Sequence, residues 1–235
     1  MSNIVKSQRF LMKRYMFLVC SLVIAALVSV MIGAFAKGGI QNLSPQTLAA
    51  GSIFAIALIS FTPTLAISFG YTQRIQIYEI MAGFRPYQIM LGKALVYLPV
   101  TLIYLVSVLA VYLISDSSSE MIRILVLFCL LCIRFTLCVI FLSPLLKEST
   151  FAPLFSVMVL MIMQIYGEIY DSVEEFSHSV FSFTCFGQCA LLGGEITDSF
   201  MAKVIISSVI ACVIYYLIGY FTLKKKIDLE PHPLN

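Results

Sequence analysis

Six stretches of this chain, each 17 to 24 residues long, are built almost wholly from apolar residues: about 16–36, 48–71, 94–114, 121–142, 151–167 and 200–223. A helix needs about 20 such residues to cross the hydrocarbon core of a bilayer. Six of them in 235 residues, with 60% of residues hydrophobic and only 11% charged, exceed what a water-soluble core absorbs. The expected fold is an all-α polytopic membrane protein with six transmembrane helices in one domain over residues 1–235. The longest polar interruption, Glu168–Asp198, has 31 residues and leaves no room between spans for a separate soluble domain.

Charge distribution orients the six spans. Residues 1–15 carry Lys6, Arg9, Lys13 and Arg14 and no acid, interleaved with Phe10, Leu11 and Tyr15. That pattern predicts an N-terminal amphipathic helix on the membrane surface. With both termini cytoplasmic, eleven of the fifteen Lys and Arg fall inside and three outside, with Arg134 within a span. The positive-inside rule favours this orientation, which puts the chain in the plasma membrane. The flank Ala34-Phe35-Ala36 has the form of a signal-peptidase site, but the apolar run before it is longer than a signal peptide's. Ala25, Ser29 and Gly33 form a stripe of small residues that either admits a neighbouring helix or arises by chance. Glu168–Asp198 holds six acids and no Lys or Arg. Within it, Val180–Leu192 is apolar but too short to span, which fits a re-entrant or interfacial outer segment before span six.

Gln73–Lys93 is the long polar interruption on the inner side. Ile77, Ile80, Met81 and Phe84 fall at helical spacing, opposed by Gln73, Arg74, Gln76 and Glu79. Gly83 interrupts the pattern, and Pro86 suits the first turn of a new helix. The stretch therefore reads as helix, sharp break, then a helix running into span three. It is either an ordinary interfacial helix or an elbow on which a soluble motor can push. Pro63 and Pro99 lie in spans two and three, where a missing N–H favours a kink.

Residues that carry chemistry are sparse. There is no G-x-x-x-x-G-K-[ST] phosphate loop; Gly92-Lys93 lacks the upstream glycine and the hydroxyl residue. The two histidines, His178 and His232, cannot form H-E-x-x-H, and no clustered metal ligands occur, so the chain is not expected to be an enzyme. Glu174, Glu175 and His178 read as a solvated acidic loop. Seven cysteines imply no disulfide framework: Cys129 and Cys132 read as small apolar residues, and Cys185 and Cys189 as packing residues. Arg134 is the informative charge. It sits eight residues before the end of span four, and no acid lies within any span. It either faces the bundle interior, with Gln164, tyrosine hydroxyls or freed carbonyls as partners, or snorkels to the inner headgroups. In the interior it would suit an anionic or lipid-like group.

These features resemble the bacterial ABC-2 type permeases, the membrane subunits of type V ABC exporters. The resemblance covers nearly the whole chain: basic N-terminus, six spans, the elbow between spans two and three, and the re-entrant segment before span six. Its local core is Tyr78-Glu79-Ile80-Met81-Ala82-Gly83-Phe84-Arg85-Pro86, followed by Gly92-Lys93-Ala94. In that family the elbow is a coupling helix that docks on the nucleotide-binding subunit. The resemblance thus implies docking by Glu79, Met81, Gly83, Phe84 and Arg85, with a secondary cytoplasmic contact at Leu146, Lys147 and Glu148. It implies ATP and Mg in separate ATPase partners and no cofactor in this chain. A second permease copy, identical or homologous, membrane lipid and no nucleic acid complete the expected partners. It further implies alternating access and export of an amphiphile, such as a lantibiotic-like antimicrobial peptide or a lipid-like molecule. A non-pathway structural or sensory subunit of a transporter, and a membrane-embedded enzyme, are the alternatives.

Overall fold

A computed structural model describes residues 5–6, 9–10, 79–115, 119–145, 180–185, 187–188 and 197–229. All regular structure among them is helical. Three long helices dominate: α1 (Pro86–Ser115, 30 residues), α2 (Ser119–Leu142, 24 residues) and α3 (Asp198–Leu229, 32 residues). A 3-10 turn, Val180–Phe183, precedes α3. Val5, Lys6, Arg9 and Phe10 are helical, with Lys6, Arg9 and Phe10 exposed; the rest of the expected N-terminal amphipathic helix lies outside the described residues. The expected spans 16–36, 48–71 and 151–167 and the contact Leu146–Glu148 lie outside the described residues.

The three helices pack along their lengths. α2 and α3 run in the same direction. Arg123 meets Asp198 at 3.6 Å at one end, Arg134 reaches Ser207 at 3.3 Å midway, and Phe141 meets the Tyr216 ring edge-on at 5.4 Å at the other. α1 runs against them: its first turns, at Ile89, Met90, Ala94 and Tyr97, pack with Ile140 and Phe141 of α2 and Leu223 of α3. Deeper in the pair, Thr101 and Thr136 share a buried hydroxyl–hydroxyl hydrogen bond of 3.2 Å, and Thr136 also donates to the Cys132 carbonyl at 2.9 Å. Both threonines thereby satisfy polar atoms that an apolar interior penalises when left alone.

α2 and α3 approach backbone to backbone at Gly219. A Cβ built there would overlap the Phe141 carbonyl oxygen and stand 2.6 Å from Met90 Cε. Glycine is required because the opposing atom is backbone, which cannot swing aside as a side chain does. Small residues at helix crossings allow this approach of backbones where apolar burial alone does not drive association.

Two of the helices contain stretches long and apolar enough to cross a membrane, Ile122–Leu142 and Asp198–Lys225. They differ in position: 61% of the α2 stretch is buried inside the protein, against 22% of the α3 stretch. α2 is the central helix of the described bundle, and α3 presents an apolar face outward, with Ile206, Val209, Val213 and Phe221 all more than half exposed. The helix boundaries agree with the sequence reading for α2, and α1 begins at Pro86 as expected. α3 differs: it continues past the expected end at 223 through Lys224, Lys225 and Lys226 to Leu229. Lysine is a good helix former, and three cations at a helix C-terminus oppose the negative end of its dipole. Pro99 also lies inside α1 rather than at a break; the helix runs through it, leaving the Leu95 carbonyl without its i+4 amide partner.

Candidate functional site

The elbow residues form a compact, fully specified turn. Glu79, Ile80 and Met81 close one helix. The Gly83 N–H donates to the Ile80 carbonyl at 2.9 Å and the Phe84 N–H to the Glu79 carbonyl at 3.2 Å. This pair of bonds is the Schellman motif, which needs a left-handed residue at its centre. Gly83 supplies it at φ 81°, with open space where a Cβ would stand. Three residues later a second device starts α1. Pro86 takes the first helical position, where its missing N–H is no loss. The Gln88 side chain reaches back to accept the Arg85 backbone N–H at 3.0 Å, which is half of a capping box. The Arg85 carbonyl accepts from Gln88 and Ile89 at 2.9 and 3.2 Å.

This turn sorts the expected docking residues into two groups. Met81, Gly83 and Arg85 are exposed and Phe84 is half-buried. Glu79 points inward and is buried, 4% exposed. Ile80 and Phe84 pack on the cluster made by the start of α1, Ile140 and Phe141 of α2, and Leu223 of α3. Lys93, expected at the inner boundary, is also buried, at 5% exposed. The elbow therefore seats on the ends of all three long helices at once.

The second candidate, Arg134, is buried in the bundle, 4% exposed. The snorkelling alternative is thereby excluded for this side chain. Its Nη1 donates to Gln188 Oε1 at 2.9 Å and to Ser207 Oγ at 3.3 Å, and its Nη2 donates to the Phe183 carbonyl at 2.9 Å. A carbonyl is among the partners, as expected; the amide is Gln188, not Gln164, which lies outside the described residues. Gln188 itself donates to Ser207 Oγ at 2.8 Å, and Ser207 donates to the Val204 carbonyl at 3.1 Å. Arg134 Nε has no partner.

Arg134 ties α2 and α3 to the segment before α3. Cys185 adds a bond from its thiol to the Leu131 carbonyl at 3.3 Å. On the other side of the turn, Lys203 Nζ donates to Ser182 Oγ at 2.7 Å and lies 4.4 Å from the Phe183 ring centre. The described part of Val180–Leu192 thus meets α2 at Leu131 and Arg134. Arg134 lies about 17 Å along the helix from Arg123 at helical rise. Gln188 and Ser207 were not singled out from sequence. The available signal was a lone amide in a 13-residue apolar run, and a Ser-Ser pair in the last span.

No protein-family model matches the chain, and no curated protein matches its sequence.

Proposed function

We propose that this chain is the membrane subunit of an ATP-driven exporter of the ABC-2 type. It lies in the plasma membrane with six spans and both termini cytoplasmic. It pairs with a second permease copy, and separate subunits bind and hydrolyse ATP with Mg. Its cargo is an amphiphile, such as a peptide or a lipid-like molecule.

The observation that carries the proposal is the elbow. A helix end closed by a glycine cap, a Pro-started helix leading into an apolar stretch, and seating on the ends of three long helices make a rigid lever. A push on its outer surface reaches α1, α2 and α3 together, because Ile80 and Phe84 are packed into the cluster that all three share. Exposed Met81 and Arg85 offer an apolar contact and a charge to a docking partner. The outward apolar face of α3 favours lipid over water as its surroundings, since that many exposed large apolar side chains on one helix are unfavourable in water.

The test is co-purification in detergent with the ATPases encoded beside this chain. Arg85→Glu and Met81→Asp should release a bound ATPase while the permease still elutes as a folded species. Retention of the ATPase by both variants, or the absence of any bound ATPase with the native elbow, would sink the proposal.

A further inference from the structure

Among the described residues, Arg134 is a buried guanidinium whose hydrogen-bond acceptors are neutral. Two backbone and side-chain carbonyl oxygens and one hydroxyl take three of the guanidinium's N–H donors. The Nε atom is buried without a partner, and the Tyr215 hydroxyl on α3 lies beside the guanidinium. Among the described residues no carboxylate is paired with Arg134, and the Arg123–Asp198 ion pair is at the far end of α2. An arginine in an apolar interior whose partners among the described residues are all neutral keeps its full attraction for an anion. A planar fork with an unused Nε–H suits the paired oxygens of a carboxylate or phosphate.

We propose that Arg134 is the binding point for an anionic group, a carboxylate or a phosphate, and that Phe183 and Gln188 close this site by standing in for it. The Phe183 carbonyl and Gln188 Oε1 each lie 2.9 Å from the guanidinium nitrogens, where oxygens of an anion would sit. They are weaker partners than a charged oxygen, so an anion displaces them. The closing element is suited to release. A 3-10 turn has poorer hydrogen-bond geometry than an α-helix. Phe183 at its end is 52% exposed, so it is not locked into the core. Lys203, one turn before Ser207, adds a second positive charge on the other side of the turn. The inference rests on the membrane-helix reading of α2 and α3 and names the class of group the bundle receives; it needs no ATPase.

The experiment uses the full chain, purified in a neutral maltoside detergent without any ATPase. The probes are dodecyl phosphate, zwitterionic dodecylphosphocholine and sodium phosphate. Thermal stability and amide hydrogen exchange over residues 180–188 are followed. Dodecyl phosphate should stabilise the protein saturably and raise exchange in 180–188 several-fold, with no such response to the zwitterion. Arg134→Gln should weaken the response at least tenfold, and Arg134→Lys less. Gln188→Leu, which removes a competing acceptor, should tighten binding at least threefold. An equal response to sodium phosphate assigns the site to a free anion rather than an amphiphile's headgroup, and the anion site stands. Undiminished binding by folded Arg134→Gln overturns the proposal. If Arg134→Gln does not fold, unchanged affinity in Gln188→Leu overturns it, as does absence of any response in the native protein. Because no ATPase is present, failure here leaves the docking role of the elbow intact, and failure of docking leaves this site intact.

Discussion

Gly219→Ala isolates the backbone contact between α3 and α2. On helix propensity alone the change should stabilise α3 by about 1 kcal/mol, since alanine loses less backbone entropy than glycine. The structure reverses that sign. The added methyl overlaps the Phe141 carbonyl oxygen, and Met90 Cε stands 2.6 Å away. Met90 can change rotamer, but Phe141 is backbone in the last turns of α2. To restore normal van der Waals separation the two helices must part by about 1 Å or more. That shift would loosen the Phe141–Tyr216 edge contact at 5.4 Å and the cluster of Ile89, Met90, Ile140 and Leu223. Overpacking against an unyielding neighbour costs about 3 kcal/mol, the upper part of its usual range. The net effect should be a loss of about 2 kcal/mol, which corresponds to a fall in Tm of roughly 4–8 °C for a chain of this size. The assay is thermal unfolding in detergent read by size-exclusion recovery. An alanine at an exposed α3 position such as Ile210 is the control for lost helix surface. A Tm unchanged or raised by Gly219→Ala would show that α2 and α3 do not approach at this point, and the reasoning about the crossing would fail.

Further predictions concern the elbow and the threonine pair. Gly83→Ala meets no atom, so its cost is conformational, about 1–2 kcal/mol for forcing a left-handed φ on an L-residue. Faster hydrogen exchange confined to the amides of Gly83 and Phe84 checks it, and Gly83→Asn should be milder because Asn tolerates that region better. For Thr101 and Thr136, a double-mutant cycle with valine should return a coupling of about 0.6 kcal/mol, the average for interhelical hydrogen bonds in membrane proteins. A coupling near zero by thermal unfolding would mean that the 3.2 Å contact is not a stabilising bond.

Legibility followed the locality of the physics. The elbow was readable because each of its devices acts within a few residues. A glycine that breaks an apolar pattern and a proline three residues on are local backbone statements, and the cap and the Pro86 start appear where that pattern places them. The ends of α2 were readable for the same reason: apolar run length sets them. The end of α3 was not, because hydropathy marks where a helix stops being apolar, not where its backbone stops being helical. Lys224–Lys226 end the first and continue the second.

Arg134 shows the other limit. Its burial was one of two outcomes open to a long cationic side chain eight residues from a helix end. Local sequence does not choose between them, since a snorkelling arginine and a buried one share the same neighbours in the chain. The choice depends on acceptors 49 to 73 residues away, at Phe183, Gln188 and Ser207. Gly219 is similar: its need for a bare Cα arises from Phe141, on a different helix. Glu79, two residues before exposed Met81, is buried, which the local motif does not encode.

Sequence by itself therefore determined the helical class, the apolar lengths and the elbow's break, because these depend on side-chain transfer energies and on backbone freedom within a few residues. Tertiary structure alone decided which polar side chains face inward, what neutral oxygens surround Arg134, and where two backbones touch. Those depend on which surfaces distant segments bring together, and no local periodicity encodes a partner on another helix.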